Sequence, residues 1–378
     1  MNYEWNEEQR MLKEAARSFL VKECPSSFVR EMSEDKMGYS TALWGKMAAL
    51  GWMGLMFPEK YGGYGANFLD LTVLLYEMGY VCLPGPFLAT VILGGLTVLD
   101  VGSDLQKGEI LPKIASGDKL MTLAWCENEG TYPLNRLSTK AILKNNEYKL
   151  TGTKFFVPDA HVASTFICVA ETEETKGAGE NGPSLFLVDQ ATPGVKLHEL
   201  LTISGEKQYA IEFDQANIPK ENIVGQQGMG GMVLKKIFNL AAVAKCAEMC
   251  GSAEKVLEML LLHVNERVQF GHKISHFQAV QHHCADILTF LQTSKFMTCR
   301  ASWKISIGDE FAKEAAICKA WVSESHRRLV ALAHQVMGGI GFMEEHDLNL
   351  HFKRAKTAEL SFGSADFHRE KLAQYLGF

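Results

Sequence analysis

The run NERVQFGHKISHFQAVQHHCAD (265–286) gathers side chains suited to hold a charged, flat ligand. Arg267 and Gln269 stand just before Phe270-Gly271, and Gln278 follows after a short connection. Arg offers a planar fork that fits a pyrophosphate, and Gln an amide for a ribose or amide edge. Read alone, the same run is equally a solvated corner between helices. Two glycine-rich segments also invite a phosphate reading, GQQGMGG (225–231) and QVMGGIGF (335–342). The first lacks both the Lys-Ser/Thr ending of a Walker loop and the strand–GxGxxG–helix order of a dinucleotide fold, so by itself it reads as a loop leading into a helix. In the second, Gly338 and Gly339 permit close approach of a ligand or another backbone. A metal reading fares poorly. Adjacent His282 and His283 project about 100° apart on a helix, and His272 and His276 flank a turn with no carboxylate nearby in sequence. Cys246 and Cys250, one helical turn apart, have no third ligand at finger spacing and read as small buried apolar residues. No GxSxG elbow or Ser-His-Asp signature is present.

The elements that must position these residues fall into three zones. A chain of 378 residues is long for one core and suggests two or three packed domains. Its 47% hydrophobic and 22% charged residues are those of an average globular protein, which excludes wholesale disorder or coiled coil. The net charge of −6 gives no general attraction to nucleic acid or acidic membranes. Nine scattered cysteines without a CxxC pair read as reduced thiols in a cytoplasmic setting. The polar, acidic first twenty residues have neither signal-peptide nor transit-peptide character, and no membrane span is expected. Residues 1–118 carry helical periodicity, with a first helix after Trp5, a second over 41–51 and an apolar one over 69–78, broken by LPGPF (83–87). Residues 119–225 are strand-like, with Asn145-Asn146 marking a tight hairpin. The polar stretch 171–183 reads as an exposed loop. Residues 226–378 turn helical again, with helices expected over 232–268, 276–307, 310–340, 347–360 and 365–375.

Five segments in order then resemble the acyl-CoA dehydrogenase family over about 320 residues: FPEKYGGYG (57–65), GTKFFVPDAHVAS (152–164), RVQFGHKISHFQAVQ (267–281), QVMGGIGF (335–342) and RAKTAELSFGSADFHRE (354–370). The resemblance implies an α+β fold with an N-terminal helical domain (1–118), a central β-barrel domain (119–225) and a C-terminal four-helix bundle (226–378). It also implies FAD, an acyl-CoA thioester substrate, proton abstraction by a Glu, hydride transfer to the flavin, and reoxidation by electron-transferring flavoprotein. By motif match, Arg267, Gln269 and Phe270 look like residues that reach the FAD of a neighbouring subunit. Gln278 fits a flavin-contacting Gln, and Gln335, Gly338 and Gly339 a segment closing over FAD from a partner chain. Trp125 and Cys126 fall where the family lines the flavin ring, with Cys126 in place of the usual Thr or Ser. Phe156 and Pro158 stand where Trp and Thr or Ser are common, and Pro158 has no N–H to offer the flavin. Such sites imply a homodimer or tetramer.

The departure that matters most concerns the base. The catalytic Glu of the tail motif is replaced by Phe362, and the alternative home, counted back from Arg267, by Ala241, with Ala242 where an Arg usually follows. Both Phe362 and Ala241 are therefore assigned to substrate binding and the base is left unknown. Three explanations stay open: a non-standard carboxylate (Glu248, Glu359 or Asp366), a heteromer in which a related subunit carries the Glu, or a reaction that needs no base at this position. The segments 244–259 and 276–287, with LPGPF, resemble the branch acting on dicarboxylic, cyclic and steroid side-chain acyl-CoAs. Small residues at 241 and 242 leave room for such groups.

Overall fold

The computed structural model describes residues 4–127, 137–172 and 182–378. Capping fixes where the first helices start. The Asn6 side chain accepts from the Gln9 backbone and Gln9 answers at the Asn6 N–H, opening α1 (Glu7–Glu23). Helix α2 spans Ser26–Glu34, and Ser40 caps α3 (Thr41–Ala49), which ends at Gly51 with φ +77°. Asn67 and Asp70 form a second capping box for the buried α4 (Phe68–Tyr80). After LPGPF the chain does not stay irregular. A π-helical turn over Leu88–Leu96 runs into α5 (Thr97–Val101), and α6 follows (Asp104–Ala115).

The middle zone is an eight-stranded sheet made of β1 (Met121–Ala124), β2 (Lys140–Lys144), β3 (Glu147–Pro158), β4 (Thr165–Thr172), β5 (Ser184–Asp189), β6 (Val195–Leu200), β7 (Gln208–Pro219) and β8 (Ile223–Val224). Its order is β6-β7-β3-β2-β4-β5-β8, with β1 parallel to β4. Asn145 and Asn146 take φ +51° and +66° in the β2–β3 hairpin, as their residue types foretell. Strand β6 is missing from the sequence reading because VKLHEL is a half-exposed edge strand whose alternation is short, Val195 and Leu197 alone packing on the core before His198 and Glu199 interrupt it. In the loop expected over 171–183, Glu171 and Thr172 belong to β4, and 173–181 lie outside the described residues.

The last zone holds α7 (Gly230–Glu266), a two-residue-a-side hairpin of β9 (Val268–Gln269) and β10 (His272–Lys273), α8 (Gln278–Ser306), α9 (Ala312–Met337), α10 (Asp347–Leu360) and α11 (Ala365–Tyr375). The five helices agree with the periodicity to within a turn, whereas the hairpin was not among the expected elements.

The chain forms two compact units, neither continuous in sequence. One contains Met32–Ala66 and Pro84–Phe238, built on the sheet, whose core runs from Ala124 through Leu150 and Phe186 to Ile218. The other contains Met1–Glu31, Asn67–Leu83 and Asn239–Phe378. In this helical unit α4 lies against α7 so closely that a Cβ on Gly79 would sit 1.9 Å from the Glu248 carbonyl, and one on Gly251 1.8 Å from that of Tyr76. The remaining core runs along α7, α8, α9 and α10.

Of the four histidines buried in this unit, three have a hydrogen-bonding partner and a strongly lowered basicity. His351 lies within 2.8 Å of the Ser252 hydroxyl and His326 within 3.2 Å, while His368 meets the Phe362 carbonyl at 2.8 Å. Burial pushes all three down to about 3. Their folded forms are therefore neutral, whereas the unfolded chain binds protons below about pH 6.5, so stability is present above that pH and is lost as pH falls toward 3. At pH 5 the loss is on the order of 2 kcal/mol per histidine. Melting at pH 5 should come several degrees below melting at pH 7, and His326→Gln should flatten the difference. An unchanged Tm between the two pH values contradicts this account of the core.

Candidate active site

In the sheet unit the candidate flavin-facing residues meet at one end of β1 and β3. The Phe155 N–H donates to the Cys126 carbonyl at 2.9 Å, and the Thr122 hydroxyl to the Pro158 carbonyl at 2.7 Å. Between the pairs Lys154–Ile211 and Val157–Tyr209 the ladder slips, and Phe156 takes φ +55°. Such a bulge re-aims the side chain, which leaves Phe156 52% exposed beside a buried strand. The Trp125 ring meets Phe238, at the start of α7, edge-on at 4.3 Å. Cys126 is buried, and burial raises its thiol.

Beneath this wall lies an ion pair absent from the sequence reading. The Lys154 ammonium, fully buried, reaches Glu127 at 2.7 Å, and Glu127 also accepts from Ser138 N and Oγ, both at 2.6 Å, and from Thr139 N at 3.0 Å. Burial alone would raise Glu127, but Lys154 and these hydrogen bonds hold it at about 2. It is a structural carboxylate and a poor proton acceptor.

In the helical unit the remaining candidates occupy two places. Arg267, Gln269, Phe270 and Gln278 lie on the β9–β10 hairpin and the first residue of α8, all exposed. Phe270 is held at φ +55° and is 91% exposed. Gln335, Gly338 and Gly339 end α9, which runs antiparallel to α8, so both groups share one end of the bundle. A Cβ on Gly338 or Gly339 would meet nothing within 4 Å, and exposed Ile340 and Phe342 follow. Within the sheet unit, the aromatic, donor-poor wall suits a flat ring; within the helical unit, the exposed Arg267 and the open Gly338-Gly339 backbone suit a phosphoryl group, and both are parts of the expected FAD.

The second place is the turn after α10. Phe362 sits at φ +57° and Gly363 at +96°, a backbone a bulky residue adopts only when its surroundings impose it. Two buried groups do so. The Lys319 ammonium on α9 donates to Ser323 Oγ on its own helix (2.8 Å) and to the carbonyls of Ala358 (2.9 Å) and Glu359 (3.0 Å), so two of its three donors serve the last turn of α10. The His368 ring accounts for the Phe362 carbonyl. Sequence reading passed over both residues; the one available signal was a Lys inside the apolar run AAICKAWV. Ala241 and Ala242 are fully buried on α7.

None of the three alternative carboxylates is unengaged. Glu248 pairs with Lys245 at 2.5 Å, and Glu359 with Lys356 at 2.9 Å and Arg327 at 3.5 Å. Asp366 pairs with Arg369 at 2.7 Å and its side chain is 87% exposed. Among the described residues no group of three or more His, Cys, Asp or Glu is arranged for a metal ion.

Three family models match the chain: the acyl-CoA dehydrogenase N-terminal domain over residues 6–118, its middle domain over 122–216 and its C-terminal domain over 228–377. The chain is 29% identical to an acryloyl-CoA reductase (NADH) of Anaerotignum propionicum, covering 99% of this chain and 95% of that one. It is 27% identical to a cyclohex-1-ene-1-carbonyl-CoA dehydrogenase of Syntrophus aciditrophicus, covering 97% and 89%. Its fold superimposes with a TM-score of 0.90 on a chain of the ChsE4-ChsE5 complex from Mycobacterium tuberculosis, at 25% identity, covering 100% and 99%.

Proposed function

The chain belongs to the acyl-CoA dehydrogenase family, and on that premise we propose that it takes part in dehydrogenating a bulky, cyclic or dicarboxylic acyl-CoA while lacking a catalytic base of its own. The family is one of FAD-dependent oxidoreductases. When bound, FAD supplies the acceptor for the β-hydrogen as hydride. Trp125, Cys126, Phe156 and Pro158 would form the wall against the ring, with Glu127–Lys154 keeping that wall rigid. Arg267 would meet the pyrophosphate; Gln269, Phe270, Gln278, Gln335, Gly338 and Gly339 would complete the site of a neighbouring subunit. Because Pro158 has no N–H and Cys126 replaces a hydroxyl, hydrogen bonds to the ring must come from elsewhere.

The observation that carries the reading is the turn at Phe362. Lys319 and His368 hold the backbone of a base-bearing loop, yet the side chain there is a hydrocarbon. A relocated carboxylate is the less favoured explanation, because a carboxylate held in an ion pair is a weaker base. The heteromeric reading gains from both facts, and one similar structure is itself a complex of two differently named chains. We accordingly infer assembly with a related subunit that carries the Glu, in place of a homodimer or tetramer acting alone. Electron-transferring flavoprotein would be the oxidant. Among the described residues no helix is long and apolar enough to cross a membrane. All nine cysteines are free thiols, and on that ground the proposed setting is cytoplasmic.

Flavin retention tests the first half of this proposal. Purified chain reconstituted with FAD should be yellow, and Arg267→Ala should weaken FAD binding about 10- to 100-fold, the worth of a charge-assisted contact to phosphate. A wild-type chain that stays colourless after reconstitution refutes the flavoprotein reading.

A further inference from the structure

The last turn of α9 carries a histidine that the fold leaves unsatisfied. His334 is 4% exposed, and neither of its ring nitrogens has a hydrogen-bond partner among the described residues. The other buried histidines of this unit, His326, His351 and His368, each have one. Carbon holds the His334 ring instead. Phe342 lies tilted against it at 4.9 Å, and Phe352 on α10 meets it edge-on at 4.7 Å. A buried polar group without a partner is unfavourable, and an aliphatic side chain would fill the same space without that penalty, so packing alone does not explain an imidazole here.

The glycine segment after α9 rests on this ring. The Gly338 N–H donates to the His334 carbonyl, and a Cβ on Gly341 would sit 3.2 Å from His334 Nδ1. Phe342, which closes the turn over the imidazole, is itself 69% exposed. Gly338, at φ +66°, and Gly339 have open space around them, so the turn can swing outward without a clash. The titratable and charged groups on the surrounding elements are His263 in the last turn of α7, His283 and Asp286 in the first turns of α8, and Glu344, His346 and Asp347 at the entry to α10. Asp347 is engaged by Arg30 and Ser26, and Glu344 by Lys353. No carboxylate among them offsets a proton on His334: burial first, and then His346, push its imidazole down.

We propose that His334 is the positioning residue of the Gly338–Phe342 turn: uncharged, it keeps the turn closed and set for the flavin cofactor, and on taking up a proton it leaves its place between Phe342 and Phe352 and releases the turn. This rests on the reading that Gly338 and Gly339 close over FAD, and it makes cofactor retention sensitive to acid. The two states of the ring are unequal. Neutral and closed, the ring forgoes two hydrogen bonds, which already brings the open form within reach. Charged and closed, it would be a buried cation with no counter-charge, which expels it. In water the ring recovers its hydrogen bonds and titrates as an ordinary histidine.

The test is the FAD affinity of the purified chain, read from flavin fluorescence at pH 8 and pH 5.5, with circular dichroism confirming the fold at both. The wild type should bind FAD about 3- to 10-fold more weakly at pH 5.5, because one unit below the ordinary histidine value favours an open, protonated form by about 10-fold. His334→Leu takes up no proton and suits the apolar setting, so it should keep the pH 8 affinity at both values. His334→Lys, charged at both, should bind weakly at both. In the flavin-free chain, amide exchange over 338–342, corrected for its intrinsic pH dependence, should rise with acid in the wild type and not in His334→Leu. Equal wild-type affinity at the two pH values, or a pH dependence that survives in His334→Leu, overturns the proposal and leaves the FAD reading intact. A wild type that binds no flavin at either pH refutes the FAD reading, and the proposal falls with it.

Discussion

Phe362→Glu, in the chain expressed alone, should raise the rate at which an acyl-CoA bleaches the bound flavin by about 10²- to 10⁴-fold, the usual worth of a general base. The backbone needs no adjustment, since position 362 already sits at φ +57° and the Lys319 and His368 hydrogen bonds involve main-chain carbonyls. Phe and Glu both carry a Cβ, so the left-handed strain is the same for each. The site is half-buried, so a carboxylate there is partly desolvated and correspondingly more basic. Phe362→Gln, of like size without the lone charge, should give no gain. Ala241→Glu is the control for the other home of the base; Ala241 is fully buried, and a carboxylate forced there should cost stability. If Phe362→Glu is no faster than a wild type that already bleaches readily, a base elsewhere is at work.

Arg17→Met should destabilise the protein by about 3–5 kcal/mol, the cost of stranding a buried charge. The carboxylate of Glu77 has no exposed surface and receives the Arg17 guanidinium, which also donates to Glu254 at 2.9 Å and lies 3.4 Å over the Tyr80 ring. Burial pushes Glu77 up, and Arg17 opposes that push. Glu254 in turn takes Lys295 at 2.7 Å and the Tyr76 hydroxyl; burial alone would raise it, but these partners hold it at about 2. The network joins α1, α4, α7 and α8, so its loss loosens the helix on which Ala241 rides. Urea midpoints at constant slope measure the loss, and the double variant Arg17→Met/Glu77→Leu should recover much of it. A single-variant loss below about 1 kcal/mol would show that Glu77 is easily satisfied in another way.

Patterns that repeat were legible in the sequence. The helical periods and the Asn145-Asn146 turn follow from local rules, and the structure agrees with them. The change of period at each end of the β zone was enough to read helix, sheet, helix. Pairings between distant segments were not legible. Lys154 looks like a surface residue of an alternating strand, and only Glu127, brought alongside by β1, makes it an interior one. Lys319 is likewise explained by the end of α10, some forty residues away in sequence. The bulge that turns Phe156 outward depends on register with β7, which a single strand does not encode. The candidate base was misleading in another way: Glu248, Glu359 and Asp366 are attractive on a line of letters, and each owes its actual role to a cation one helical turn or less away.

The central claim is that this chain keeps a flavin and an acyl-CoA site but has no base. Anaerobic titration of the purified, FAD-loaded chain with straight-chain, dicarboxylic, cyclic and steroid-type acyl-CoAs tests it most directly. The account predicts a flavin band that shifts as thioester binds yet stays oxidised, until Phe362→Glu or the related subunit is supplied. Prompt, stoichiometric bleaching of the wild-type chain by any one thioester would contradict it.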